Sequence, residues 1–279
     1  MEIQKLKPGN MKTIFFLLIQ IITVVQICGQ SIEDLLRMGL QMADRKDYQG
    51  ALHAFSRVIE VEPDNTFALF HRGRLRHETD DIEGAIEDYD KAIAIDSERP
   101  NIYYNRGMVR SSAGDYSGAI EDFSTVIMLN PSEIAAYYHR SANKMYIEDY
   151  KGAIPDLDIC IENKFLRSSC YLSRGVIKAY FDDYEGAVKD INIAIRKNNK
   201  SAEAFFQRGY AYQGCEKYRK ANRDYDKAIR LDKEFPKAYY FRGLLRIVSG
   251  DAEGGCYDLT RADELGFPSA LGAIMKFCR

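Results

Sequence analysis

The stretch PNIYYNRGMVRSSAGDYSGAIEDFSTVIMLNPSE, residues 100–133, decides the fold. Pro100 suits the first position of a helix, where its missing N–H leaves no hydrogen bond unmade. Tyr103, Tyr104, Gly107 and Met108 then recur at helical spacing. Gly114-Asp115 breaks that helix and turns the chain. Ala119, Ile120, Phe123, Val126 and Ile127 form a second apolar stripe, which Asn130-Pro131 ends. Gly107 and Ala119 flank the turn, where two helix backbones approach most closely. The stretch reads as a helical hairpin.

Working outward, the same pattern returns in register. Arg-Gly occurs at Arg72-Gly73, Arg106-Gly107, Arg174-Gly175, Arg208-Gly209 and Arg242-Gly243, with Arg140-Ser141 in the one gap, at steps of 34 residues or their double. A second column holds Ala51, Ala85, Ala119, Ala153, Ala187, Ala221 and Gly255, and a third holds Asp88, Asp122, Asp156, Asp190, Asp224 and Asp258. A lone hairpin of this kind cannot bury its apolar stripes, so neighbours must stack into a continuous core.

A 34-residue unit with Gly107, Ala119, Phe123 and Pro131 in this order resembles the tetratricopeptide repeat. The resemblance runs from about Ile32 to Phe267 and resembles the bacterial form of the repeat. It implies an all-α, right-handed α-solenoid of about seven helix-turn-helix repeats over 31–267, with 268–279 as a C-terminal capping helix whose outer face should be polar. Tyr or Phe stands where the family often has Trp, and Arg76, Arg110, Lys144, Lys178 and Arg246 replace its Tyr. The fourth unit departs most. Pro155 lies inside its second helix and Asn163-Lys164-Phe165-Leu166 replaces the usual turn, so a kink or offset is expected there.

Residues 1–30 differ. Lys5, Lys7 and Lys12 precede an apolar run from Ile14 to Val25, interrupted by Gln20, and small residues follow near Gly29. This reads as a secretory signal peptide cleaved near Gly29 or Gln30, or as an N-terminal anchor if retained. Met11-Lys12-Thr13 is itself a good opening, so translation from Met11 is an alternative start. A lipoprotein site at Cys28 fits less well, because bulky Ile27 precedes the cysteine. Export would place the mature chain in a bacterial periplasm or outside the cell.

The 39 basic and 41 acidic side chains interleave and give a net charge of −2. No global field then favours nucleic acid or an anionic membrane. The arginine and aspartate columns lie at equal distance from the turn. They should therefore pair within each hairpin: Arg72 with Asp88, Arg106 with Asp122, Arg140 with Asp156, Arg174 with Asp190, Arg208 with Asp224 and Arg242 with Asp258. The first repeat supports this, since Met38 and Ala54 replace both partners together. The same symmetry about a turn suggests two candidate disulfides, Cys256–Cys278 and Cys160–Cys170, with Cys215 left free. The alternative is that these cysteines serve as small core residues.

No metal-site spacing, phosphate loop or nucleophile–base set stands out, so no cofactor and no catalysis are expected. The repeat family uses the concave face lined by first helices. Here those columns carry Phe70, Tyr104, Tyr138, Leu172, Phe206 and Tyr240, then Arg74, Met108, Ala142, Val176, Tyr210 and Leu244, with His71, Asn105, His139 and Gln207 beside them. Rings offer area and amides catch backbone groups, which suits an extended peptide or a protein partner. About half of the rings should prove to be core. The Lys/Asn clamp with which some family members grip chaperone tails is replaced by aromatic and aliphatic residues. The alternative function is a self-associating structural protein of the envelope.

Overall fold

A computed structural model describes residues 31–278. The signal-peptide reading of residues 1–30 lies outside them. The described residues form fifteen α-helices and no strand, so the fold is all-α. The helices pair as seven hairpins. These are α1 (Ile32–Asp44) with α2 (Tyr48–Val61), α3 (Thr66–Glu78) with α4 (Ile82–Ile95), and α5 (Pro100–Ser112) with α6 (Tyr116–Leu129). Then come α7 (Ile134–Tyr146) with α8 (Tyr150–Glu162), α9 (Arg167–Tyr180) with α10 (Tyr184–Lys197), α11 (Ala202–Gly214) with α12 (Tyr218–Leu231), and α13 (Pro236–Val248) with α14 (Ala252–Glu264). Helix α15 (Ala270–Phe277) packs on the last hairpin. The helices divide into two compact units, α1–α6 and α7–α15.

One local device makes every turn. The residue two places before each second helix has positive φ: Lys46, Asp80, Gly114, Glu148, Asp182, Glu216 and Gly250. An aspartate then caps the helix, its carboxylate accepting the N–H three residues on. The pairs are Asp47 with Gly50, Asp81 with Gly84, Asp115 with Gly118, Asp149 with Gly152, Asp183 with Gly186 and Asp251 with Gly254. Such a cap supplies an acceptor to an otherwise unpaired helix N–H. Only Lys217, ahead of α12, lacks this side-chain cap.

Core formation follows the small-residue columns. In the unit α1–α6, Ala51, Phe55, Val58, Ala68 and Leu75 form one buried cluster, and Leu69, Ala85, Tyr89, Ala92, Ile102 and Val109 another. In α7–α15 one larger cluster runs from Ala179 to Ala270 and includes Ile191, Phe205, Tyr225 and Tyr239. The approach is tightest in the seventh hairpin. A Cβ added to Gly255 would lie 2.7 Å from the Gly243 carbonyl oxygen, which explains why glycine ends the alanine column.

Pro155 is accommodated inside α8, which continues to Glu162. The turn after it is irregular, as its sequence Asn163-Lys164-Phe165-Leu166 suggests: Lys164 and Leu166 both take positive φ and Leu166 caps α9 without a side-chain bond. One expectation fails at the C-terminus. The outer side of α15 is apolar rather than polar, with Leu271 and Met275 exposed. Its eight residues bury Ala270 and Ala273 against the preceding hairpin, which turns the larger apolar side chains outward.

Candidate functional site

The paired charges form the most regular feature of the protein. All six guanidiniums grip their aspartates through two nitrogens. Arg72 Nε and Nη2 lie 2.8 and 2.6 Å from Asp88, and Arg242 Nε and Nη2 lie 2.8 and 2.6 Å from Asp258. The shorter of each remaining pair of contacts is 2.6 Å for Arg106–Asp122, 2.6 Å for Arg140–Asp156, 2.8 Å for Arg174–Asp190 and 2.7 Å for Arg208–Asp224. Every one of these aspartates is buried.

Two further sets of partners were readable by spacing but are not among the expected pairs. A second cation, one helical turn after five of the six arginines, reaches the same carboxylate: Arg76 at 3.0 Å, Arg110 at 3.0 Å, Lys144 at 2.9 Å, Lys178 at 2.7 Å and Arg246 at 2.9 Å, while Tyr212 follows Arg208. The signal was the first repeat, where Met42 replaces this cation along with Met38 and Ala54. The arginine's remaining nitrogen also crosses to the hairpin before it: Arg106 to Asp90, Arg174 to Asp158, Arg208 to Asn192 and Arg242 to Asp226. Each of these four arginines therefore closes its own hairpin and ties it to the one before. At Asp190 burial alone would raise the carboxyl pKa, but the hydrogen bonds from Arg174 and Lys178 and their charges hold it below the usual carboxylate range.

The expected ligand-facing residues divide between surface and core. In the unit α1–α6, Phe70 and Tyr104 are half-buried, with rings 6.1 Å from Tyr89 and 5.7 Å from Phe123. Arg74 is exposed and Met108 half-buried. The Asn105 amide donates to the Asn101 carbonyl within its own helix at 2.7 Å. His71 lies among Phe55, Phe67 and Phe70, with ring centroids at 5.5, 4.2 and 5.2 Å. Burial, with the Arg74 charge adding to it, pushes its pKa down to about 4.

A pH dependence follows. Between pH 4 and the unfolded value of 6.5 the unfolded chain binds a proton at His71 that the folded chain does not, so stability falls as pH drops through that window. Allowing for its partial exposure, we expect a loss of about 2 kcal/mol. The variant His71→Asn, which copies Asn105 of the next repeat, should lose less between the same pH values in urea titrations.

In the unit α7–α15, Tyr138 and His139 are half-buried, and burial lowers the His139 pKa. Gln207 donates to Glu203 at 2.7 Å. Phe206 is a correction. It is 4% exposed and packs against Tyr225, Phe235 and Phe241, so it is a core residue and presents no surface to a ligand. Tyr210 remains exposed beside Phe241. Tyr240 packs at a tilt against Phe267, ring centres 4.6 Å apart, and with Leu244 and Val248 it forms one wall of an open cavity of about 630 Å³. Gly272, Ala273, Lys276 and Phe277 of the α15 segment form the opposite wall, and Gln213 and Tyr218 contribute from the sixth repeat. A volume of this order can hold several side chains of a bound segment.

Cys256 and Cys278 are joined by a disulfide that ties α15 to α14. Cys160 and Cys170 are not bridged. Both are buried free thiols that interact with each other, and the contact to Cys170 together with burial pushes the Cys160 thiol well up. Cys215 is a partly exposed free thiol. Among the described residues no group of three His, Cys, Asp or Glu side chains could hold a metal ion, and no helix is long and apolar enough to cross a membrane.

The family profile described as "TPR repeat" matches residues 73–111, and that described as "Tetratricopeptide repeat" matches residues 100–133 and 202–235. No curated protein matches the chain. Among solved structures, a tetratricopeptide repeat protein from Parabacteroides merdae is similar at TM-score 0.66 and 21% identity, covering 87% of this chain and 96% of that one. The C-terminal part of a TPR repeat-containing protein from Cytophaga hutchinsonii is similar at TM-score 0.67 and 12% identity, over 85% and 98% of the two chains. YrrB, described as a TPR protein with an unusual peptide-binding site, is similar at TM-score 0.60 and 23% identity, over 67% and 97%. Likeness at these identities concerns the fold. Taken with the hairpins and their 34-residue columns, it shows a fold of stacked helical hairpins, with tetratricopeptide repeats matched at 73–133 and 202–235.

Proposed function

We propose that the protein is a non-catalytic scaffold that binds a protein or an extended peptide along the first helices of its repeats. The cavity bounded by Tyr240, Leu244, Val248 and α15 is the observation that carries this reading. Tyr240 and Leu244 belong to the two side-chain columns that should face a ligand. They stand on a rigid helix held by the Arg242–Asp258 pair, so little conformational entropy would be lost on binding. The description of YrrB as having a peptide-binding site is in keeping with it. No cofactor enters this reading. The N-terminal thirty residues would direct export to a bacterial envelope, where the Cys256–Cys278 bridge would persist.

Affinity capture with the mature chain tests the proposal. The native chain should retain a partner from an envelope extract. A Leu244→Ser/Val248→Ser variant of unchanged helicity should lose it, by about tenfold or more in affinity. Equal capture by both forms, or capture of nothing but further copies of the chain, would count against it.

A further inference from the structure

A second surface lies at the turn end of the fourth and fifth hairpins. There Tyr146 is 67%, Ile147 45%, Tyr180 58% and Phe181 46% exposed. Their rings are organised before any partner arrives. Tyr150 and Tyr180 lie 4.4 Å apart, and Phe181 is 5.3 Å from Tyr180 and 6.4 Å from Tyr150.

The repeat provides its own control on whether these rings are needed for folding. The equivalent positions hold Glu78 and Thr79 in the second repeat, Ser112 and Ala113 in the third, Gly214 and Cys215 in the sixth, and Val248 and Ser249 in the seventh. All make the same turn, with a residue of positive φ just before the cap position. The turn therefore does not require aromatic side chains. A contiguous exposed apolar patch with no folding role is the usual mark of an interaction surface.

Charge says what kind of partner it fits. Across 146–151 and 180–185 stand five carboxylates, Glu148, Asp149, Asp182, Asp183 and Glu185, against one ammonium, Lys151. The third-repeat stretch 112–117 has only Asp115. The second-repeat stretch 78–83 is also acidic, with Glu78, Asp80, Asp81 and Glu83, but carries no ring, so the fourth and fifth repeats are the ones that combine acid with exposed rings. Elsewhere the protein shows which side chain suits that combination. Arg174 lies 5.3 Å from the centre of the Tyr171 ring while pairing with Asp190, and Arg106 lies 5.5 Å from that of Tyr103 while pairing with Asp122. A planar guanidinium satisfies ring and carboxylate at once.

We infer that the turn end of the fourth and fifth repeats, centred on Tyr146, Tyr180 and Phe181, is a docking surface for a basic protein segment in which arginines alternate with aliphatic residues. It is separate from the cavity beside α15, and neither reading depends on the other.

The test uses the full chain and a labelled peptide of repeated Arg-Leu-Ser units. Controls are a repeated Glu-Leu-Ser peptide of reversed charge and a repeated Arg-Gly-Ser peptide without the aliphatic part. The edge variant Tyr146→Ser/Ile147→Ala/Tyr180→Ser/Phe181→Ala carries the residues that the third repeat tolerates, so it should keep native helicity. The native chain should bind Arg-Leu-Ser in preference to both controls and more weakly as salt rises. The edge variant should lose about tenfold or more in affinity, while Leu244→Ser/Val248→Ser should retain it. Several outcomes would overturn the inference: equal binding of the charge-reversed peptide, unchanged binding by the edge variant, or loss only in the cavity variant. So would concentration-dependent dimerisation that the edge variant abolishes without peptide binding, which would make a second copy the occupant.

Discussion

Replacing Asp88 with asparagine should lower the stability of the second repeat by about 3–5 kcal/mol, because it leaves two cations at a buried site without their anion. Asp88 has no exposed side-chain surface and receives Arg72 through two nitrogens and Arg76 through one. Asparagine preserves volume but offers neutral oxygen and two N–H donors to groups that are themselves only donors. Removing all three polar groups should cost far less. The first repeat does this naturally with Met38, Met42 and Ala54, so Arg72→Met/Arg76→Met/Asp88→Ala should recover much of the loss. Urea denaturation followed by helical circular dichroism would report both. In a stacked array such a defect weakens one hairpin and its interfaces, so the Asp88→Asn transition should also broaden.

Reducing the Cys256–Cys278 bridge should free α15, at a cost of about 3 kcal/mol for a closed loop of this size. The bridge spans 22 residues and ties the last turn of the chain to the start of α14. Without it, an eight-residue helix that buries only Ala270 and Ala273 has little to hold it in place. Cys278→Ser, or reductant added to the native chain, should therefore abolish amide exchange protection in α15 while leaving α13 protected. The effect bears on function, since α15 supplies one wall of the cavity beside Tyr240. Loss of the cap should weaken partner binding without changing the rest of the fold.

Much of this architecture was legible in the residues. Spacing sets phase: a period of 34 residues with Arg and Asp placed symmetrically about a turn dictates which groups face each other across a hairpin. Spacing does not set depth. Phe206 and Tyr240 occupy the same column, yet Phe206 is enclosed by Phe235 and Phe241 while Tyr240, beside Phe241 and Phe267, remains half-buried. The difference arises from side chains one repeat further on, which a single column does not reveal. The cap shows the same limit. Its composition does not tell which side faces the last hairpin, and Ala270 and Ala273 take the inner side. At Cys160 and Cys170 symmetry about Phe165 correctly brings two thiols together in the core, where they remain unbridged.

Site-specific photo-cross-linking tests the central claim most directly. A photoreactive side chain at Leu244, on the cavity wall, and another at exposed Arg230, on the second helix of the preceding hairpin, would be compared in the full chain exposed to envelope extract. A scaffold that binds along its first helices should give a discrete adduct from position 244 and none from position 230. An adduct from position 230 alone would place the binding surface on the second helices and contradict the proposed function.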